Sequence, residues 1–144
     1  MKVKKIPLKE FTQFYSKVPR FCVDLLIIDK NKVLLTKRDI PPDQGWWHFP
    51  GGTVLIGESL KNTIQRVAKE ELNTKVKIIK LISLLEYGYG SGLGYPISAV
   101  YSVKPVSKKV AGGKQAKEIG YFKILPENTL PEVKKFLKTN FRSL

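Results

Sequence analysis

The sequence predicts an α/β fold in one domain, and three observations predict it. Apolar runs of strand length alternate with segments whose apolar residues recur at helical spacing. Clusters of Gly, Pro, Asn and Asp separate these runs. The 144 residues, 42% of them hydrophobic, suffice for one core, and no repeat, low-complexity tract or linker divides them. Strands and helices are intermixed along the chain, which admits α/β or α+β.

The elements follow in order. Residues 7–16 carry Leu8, Phe11, Phe14 and Tyr15, a short helical pattern able to cap the domain. Residues 21–28 form a buried-strand run, 29–32 supply turn residues, and 33–38 read as the returning strand of a hairpin. A loop with Pro41 and Pro42 leads through the aromatic segment 46–49 into Pro50-Gly51-Gly52. Residues 60–72 are helical; Ser59 is a good N-cap, and Asn73 suits a left-handed C-cap. Residues 76–87 read as one long or bent strand, and 88–94, with four glycines in seven positions, as a loop tip. Strands follow at 96–103 and 119–124, separated by a basic loop over 104–115 that contains Gly112-Gly113. A helix over 131–141 closes the chain, with Pro131 in its first turn and lysines toward its end.

Composition narrows the function classes. No apolar run reaches the roughly 18 residues that a membrane span needs. The basic start Met1-Lys2-Val3-Lys4-Lys5 lacks the long apolar region of a secretory signal. Cys22, the single cysteine, allows no internal disulfide and fits a reducing, cytoplasmic setting; inside an apolar run it reads as a buried, inert thiol. The net charge of +14 fits either a phosphate-bearing partner or solvated lysines. The lysines are dispersed, with short clusters at Lys4-Lys5, Lys108-Lys109 and Lys134-Lys135, and no aromatic-interleaved RNA motif is present. Nucleic acid is therefore disfavoured as a partner, and a small phosphate-bearing substrate is expected.

Chemistry concentrates between Gly52 and Glu71. At about 100° per residue, Leu60, Ile64, Val67, Ala68 and Leu72 fall on one apolar stripe, and Glu71 projects at its edge. Glu70 lies one turn on from Arg66. A solvated Arg66–Glu70 pair, worth roughly a few tenths of a kcal/mol, would leave Glu71 and the upstream Pro-Gly-Gly turn without a reason. Paired carboxylates suit a hard divalent cation that keeps some of its waters and binds phosphate oxygens. Gly51 and Gly52 let backbone approach a ligand or metal where a β-carbon would collide.

The span 52–74 resembles the Nudix box, Gly-x5-Glu-x7-Arg-Glu-U-x-Glu-Glu-x-Gly-U, with U a bulky aliphatic residue. Gly52, Glu58, Arg66, Glu70 and Glu71 fall in register. Val67, Asn73 and Thr74 depart from it, and Val67 replaces a glutamate that family members commonly use as metal ligand or base. Enzymes similar to GDP-mannose mannosyl hydrolase lack the same glutamate. The likeness to them extends to Val23-Asp24-Leu25, Thr36-Lys37-Arg38 and Gln44-Gly45-Trp46-Trp47. It fails in the stretch 114–122, where those enzymes carry a histidine base and this chain carries Glu118.

The resemblance implies a Nudix α/β/α sandwich, a mixed sheet between helices, and a site of stated membership. Glu70, Glu71 and the Gly52 carbonyl would hold Mg²⁺, with Mn²⁺ as the alternative ion. Arg66 would orient the glutamates, Arg38 would stabilise the departing diphosphate, Asp24 would act at the sugar, and Glu118 would be the base. Arg38, Gly51, Gly52 and His48 would contact substrate, although His48 also reads as a packing or hydrogen-bonding residue. Trp47 is expected to pack beneath the turn, and Trp46, Tyr87, Tyr89 and Tyr95 are candidates to stack on a nucleobase. The implied activity is hydrolysis of a nucleoside diphosphate linked to another moiety, GDP-mannose or a similar nucleotide sugar first, nucleoside triphosphates second. A homodimer is the assembly that the subfamily likeness implies. The competing class is a nucleotide- or RNA-binding module that keeps the fold without turnover.

Overall fold

The computed structural model describes residues 4–39, 43–89, 94–107, 109–110 and 118–141. The Pro41-Pro42 pair, the middle of the glycine loop, Lys108 and the 111–117 segment lie outside the described residues. The elements are α1 (Leu8–Tyr15), β1 (Pro19–Leu26), β2 (Ile28–Asp29), β3 (Lys32–Lys37), β4 (Trp47–His48), β5 (Gly51–Thr53), α2 (Leu60–Leu72), β6 (Val76–Glu86), β7 (Tyr95–Pro105), β8 (Glu118–Phe122) and α3 (Pro131–Asn140).

The strands form two sheets. The larger is mixed, in the order β5-β1-β7-β6, with β1 parallel to β7 and the outer pairs antiparallel. In the second, β3 pairs antiparallel with β2, β4 and β8. This corrects the expected hairpin between runs 21–28 and 33–38. Only Ile28–Asp29 turns back on Lys32–Val33, through Lys30 and Asn31 at φ 50° and 62°, the left-handed pair that a two-residue hairpin turn requires. β1 itself is drawn into the other sheet because Cys22 to Leu26 are buried on both faces, a pattern that requires neighbours on each side.

Two helices cover the two apolar faces, as in an α/β/α sandwich. Val23, Leu25 and Ile27 pack with Leu34 against Ile64, Val67, Ala68 and Leu72 of α2. Leu26, Val33, Leu35, Trp47, Phe49 and Val100 pack with Val133, Phe136 and Leu137 of α3. Each such side chain removed from water contributes roughly 1.5–3 kcal/mol. β6 is one long strand with register shifts at Ile78/Lys80 and Leu81/Ser83. α1 buries none of its residues and caps the outside. Among the described residues no helix is long and apolar enough to cross a membrane.

α2 begins and ends as its sequence dictates. Ser59 accepts a hydrogen bond from the Asn62 amide at 3.1 Å, and Asn73 sits in the left-handed region at φ 52°. These caps fix the rotation of the helix, and with it the direction in which Arg66, Glu70 and Glu71 point.

Candidate active site

Arg66 is the hub of one edge of α2. Its Nε donates to Glu58 Oε2 at 2.6 Å, Nη2 to Glu58 Oε1 at 3.0 Å and to the Thr53 carbonyl at 2.7 Å, and Nη1 to Glu70 Oε2 at 3.2 Å. Glu58 receives two further bonds at Oε1, from the Leu55 amide at 3.1 Å and the Thr63 hydroxyl at 2.9 Å. Burial pushes the Glu58 carboxyl up, but the bonds from Arg66, Leu55 and Thr63 outweigh it and hold its pKa below the ordinary value. Glu58 therefore ties the loop before α2 to the helix. Arg66 thus bonds Glu70, and among the described residues it does not bond Glu71.

The two adjacent glutamates differ. Glu70 is half-buried, with Oε1 taken by Lys5 Nζ at 2.7 Å and Oε2 by Arg66. Glu71 is 6% exposed as a residue, and among the described residues no side-chain hydrogen bond reaches its carboxylate, whose oxygens keep some access to solvent. Burial first, and the neighbouring Glu70 charge second, raise its pKa to about 7, opposed by Arg38 and Lys5. A buried carboxylate without donors is expensive unless a cation compensates it.

The glycines are explained by close approach. A β-carbon on Gly52 would lie 2.9 Å from Val67 Cγ2, and one on Gly51 would collide with Asp24 Oδ1 and lie 2.9 Å from the Val23 carbonyl. Val67, one turn before Glu71 on the same helix face, is 1% exposed. It thus seats β5 against α2 where the family box has a glutamate. Asp24 is 6% exposed, accepts the Tyr87 hydroxyl at 2.5 Å, and is raised by burial to a pKa of about 6 against that bond.

A cavity of about 100 Å³ opens at this end of the fold, lined among others by Arg20, Asp24, Arg38, Asp43, His48 and Gly52. Burial lowers the Arg38 pKa first, with Asp43 and Glu71 opposing and Arg20 adding to the shift. His48 is half-buried; its Nδ1 lies 2.7 Å from the Phe49 carbonyl, and burial lowers its pKa, so the ring is neutral at pH 7 with Nδ1 as donor. Arg66, Glu70 and Glu71 are not among its lining residues; of the other candidate site residues named from sequence, Asp24, Arg38, His48, Gly51, Gly52 and Tyr87 line this one cavity. Glu118 does not: it pairs across the β3–β8 ladder with Lys37, Nζ to Oε2 at 3.7 Å, and its side chain is 61% exposed.

The aromatics divide similarly. Trp47 is buried against Phe122, ring centroids 4.8 Å apart, and Tyr87 spends its hydroxyl on Asp24. Tyr89 and Tyr95 stack edge to face at 4.9 Å beside a separate cavity bounded by Tyr15 and Pro19. Cys22 is buried and its thiol is pushed up to about 11, chiefly by burial, so it stays protonated. Sequence reading missed Arg20 and Asp43. Arg20 was legible as the start of the period-two row Arg20, Cys22, Asp24 on β1; Asp43 sits in a loop that no periodicity places.

The residues present fit a hard divalent cation. Among the described residues no group of three or more His, Cys, Asp or Glu side chains gathers as a cage. Magnesium, however, is usually held by one or two carboxylates and completed by water and substrate phosphates. Glu71, largely buried, with no protein donor to its carboxylate among the described residues and one turn beyond the Val67–Gly52 contact, is the observation that supports the fit.

Comparison with known proteins identifies the family. The chain is 30% identical over 131 residues to ADP-ribose pyrophosphatase of Methanocaldococcus jannaschii, covering 91% of this chain and 75% of that protein. It is 39% identical over 85 residues to the low-salt glycan biosynthesis protein Agl8 of Haloferax volcanii, covering 59% of this chain but only 54% of that protein. The crystal structure of a MutT NUDIX hydrolase from Burkholderia pseudomallei superposes with a TM-score of 0.76 at 22% identity, over 84% of this chain and 97% of that one, a likeness of fold. The NUDIX domain model matches residues 18–139, from the start of β1 to the end of α3, and the chain belongs to the Nudix family.

Proposed function

We propose that this Nudix protein is a divalent-metal-dependent hydrolase that cleaves a nucleoside diphosphate linked to another moiety. The observation that carries this reading is Glu71, a largely buried residue with no protein donor to its carboxylate among the described residues, in the field of Arg38. Glu70, Glu71 and the Gly52 carbonyl would hold Mg²⁺ or Mn²⁺, which when bound neutralises diphosphate charge and lowers the pKa of a coordinated water. Arg66 keeps Glu70 in place through Glu58 and Thr53. Arg38, which lines the cavity, stabilises charge on the diphosphate by charge-assisted bonds. Asp24, locked by Tyr87, offers a carboxyl to the hydroxyls of the attached group.

A nucleotide sugar is the substrate class. ADP-ribose enters through the relative named above, and GDP-mannose through the resemblance of the strand and turn motifs. For the proton of the attacking water the chain offers Glu118 and His48. The neutral imidazole in the cleft favours His48 for this role.

Incubation with Mg²⁺ and a panel of nucleotide sugars and nucleoside triphosphates, with product identification, tests the reading. Nucleoside monophosphate plus sugar phosphate marks attack at phosphorus; nucleoside diphosphate plus free sugar marks attack at carbon. Loss of turnover in His48→Gln with retention in Glu118→Gln assigns the base, and the reverse pattern returns it to Glu118. One observation favours a second reading, a binding module without turnover: Lys5 already occupies a carboxylate oxygen of Glu70. No hydrolysis across the panel, with tight nucleotide or RNA binding, would establish that alternative.

A further inference from the structure

Arg20 has no part in the Nudix box or in the roles assigned so far, yet it lines the cleft. It stands two residues before Cys22 and four before Asp24, so strand alternation puts all three on the face of β1 that bounds the cavity. Its guanidinium is held in one orientation. Nη1 donates to Thr53 Oγ1 at 2.9 Å and to Cys22 Sγ at 3.1 Å, and Cζ lies 5.7 Å from the centre of the Phe11 ring. Thr53 thus ties together two arginines, its carbonyl taking Arg66 and its hydroxyl taking Arg20.

Arg38 reaches the same cavity from the end of β3. Two guanidiniums sharing about 100 Å³ repel each other, and an anion lying between them turns that repulsion into attraction on both sides. The planar fork of arginine donors matches phosphate oxygens better than a lysine point charge does. Asp43, acting on Arg38, and Asp24, acting on Arg20, line the same cavity, so it carries both signs of charge.

We infer that Arg20 and Arg38 clamp the diphosphate of a nucleoside diphosphate derivative from two sides, Arg20 taking the phosphate farther from Glu70 and Glu71. This rests on the proposed function above and deepens it by assigning a second phosphate-binding residue. The clamp acts in binding, so its signature is a KM effect that scales with the number of phosphates.

The test uses Arg20→Gln and Arg20→Lys in the full chain. With ADP-ribose and Mg²⁺, Arg20→Gln is expected to raise KM by about tenfold or more, the size of one charge-assisted hydrogen bond, with kcat within about threefold of the parent. Titration of ADP, AMP and adenosine without metal is expected to weaken about tenfold for ADP and less than about twofold for adenosine, with Arg20→Lys in between. A structural role for Arg20 would instead shift the urea midpoint and weaken adenosine and ADP alike, which overturns the inference. Active parent enzyme with an unchanged KM in Arg20→Gln overturns the clamp and leaves the proposed function standing. If the parent hydrolyses nothing, the proposed function fails, and the ADP titration alone decides for or against the clamp.

Discussion

Val67 and Gly52 interlock: the valine Cγ2 lies where a β-carbon on the glycine would come within 2.9 Å of it. The family box has a glutamate at position 67, so here an apolar contact replaces a carboxylate at the joint between β5 and α2. Gly52→Ala is expected to push β5 off the helix and destabilise the fold by about 1–3 kcal/mol. Pairing it with Val67→Ala should recover part of that loss, which denaturant unfolding of the single and double variants measures. Val67→Glu, which restores the box residue, buries a carboxylate at a site 1% exposed and should lower stability by several kcal/mol, about the penalty of an unpaired buried polar group.

Arg66→Lys keeps the charge but not the fork. Lysine cannot reach Glu58, Glu70 and the Thr53 carbonyl at once, and Glu58, its side chain 3% exposed, loses its partner. Stability should fall by about 1.5–3 kcal/mol, the size of a lost charge-assisted hydrogen bond, and activity by about tenfold to a hundredfold through misplaced Glu70. Unchanged kcat/KM in this variant would remove Arg66 from its positioning role.

The pH dependence has a definite sign. Folding raises the Glu71 pKa to about 7 and the Asp24 pKa to about 6, from ordinary values of 4.5 and 3.8. The folded chain therefore binds these protons more tightly than the unfolded chain. Their contribution is fully present below about pH 4 and is lost as pH rises toward 7. For Glu71 it amounts to roughly 3 kcal/mol at 1.36 kcal/mol per pH unit. Glu58 works in the opposite direction, since its depressed pKa contributes stability above its ordinary value that is lost as pH falls through its folded pKa. Urea midpoints at pH 5 and pH 8 should differ in the parent, while Glu71→Gln should flatten the difference. Mg²⁺ should stabilise the parent more at pH 8 than at pH 5, and Glu71→Gln hardly at either.

Lys5 and a metal ion compete for Glu70. The ion pair at 2.7 Å involves a lysine side chain that is 55% exposed, so it is weak, and metal should displace it. Lys5→Ala is expected to tighten Mg²⁺ binding by about twofold to fivefold, the range of an exposed ion pair, as read by calorimetry. Looser binding in that variant would show that Lys5 supports the metal site.

Helix α2 was fully legible before any tertiary information, because its caps at Ser59 and Asn73 and its apolar stripe are local properties. The Nudix box was legible for the same reason, since spacing within a helix and its preceding loop fixes which side chains share an edge. The partner of β1 was not. A run buried on both faces calls for two neighbours without naming them, and β5 and β7 are distant in sequence.

The opening α/β assignment therefore stands, with two sheets where one was expected. Sequence by itself determined the helix, its termini and the register of Gly52, Glu58, Arg66, Glu70 and Glu71. Only the tertiary structure decided that Glu58 is consumed by Arg66, that Glu71 has no protein donor to its carboxylate among the described residues, and that Arg20 shares a cavity with Arg38 while Glu118 lies outside it. The physical reason is range. Caps and periodicity act over one or two helical turns, whereas burial and the fields of distant charges depend on which strands pack together.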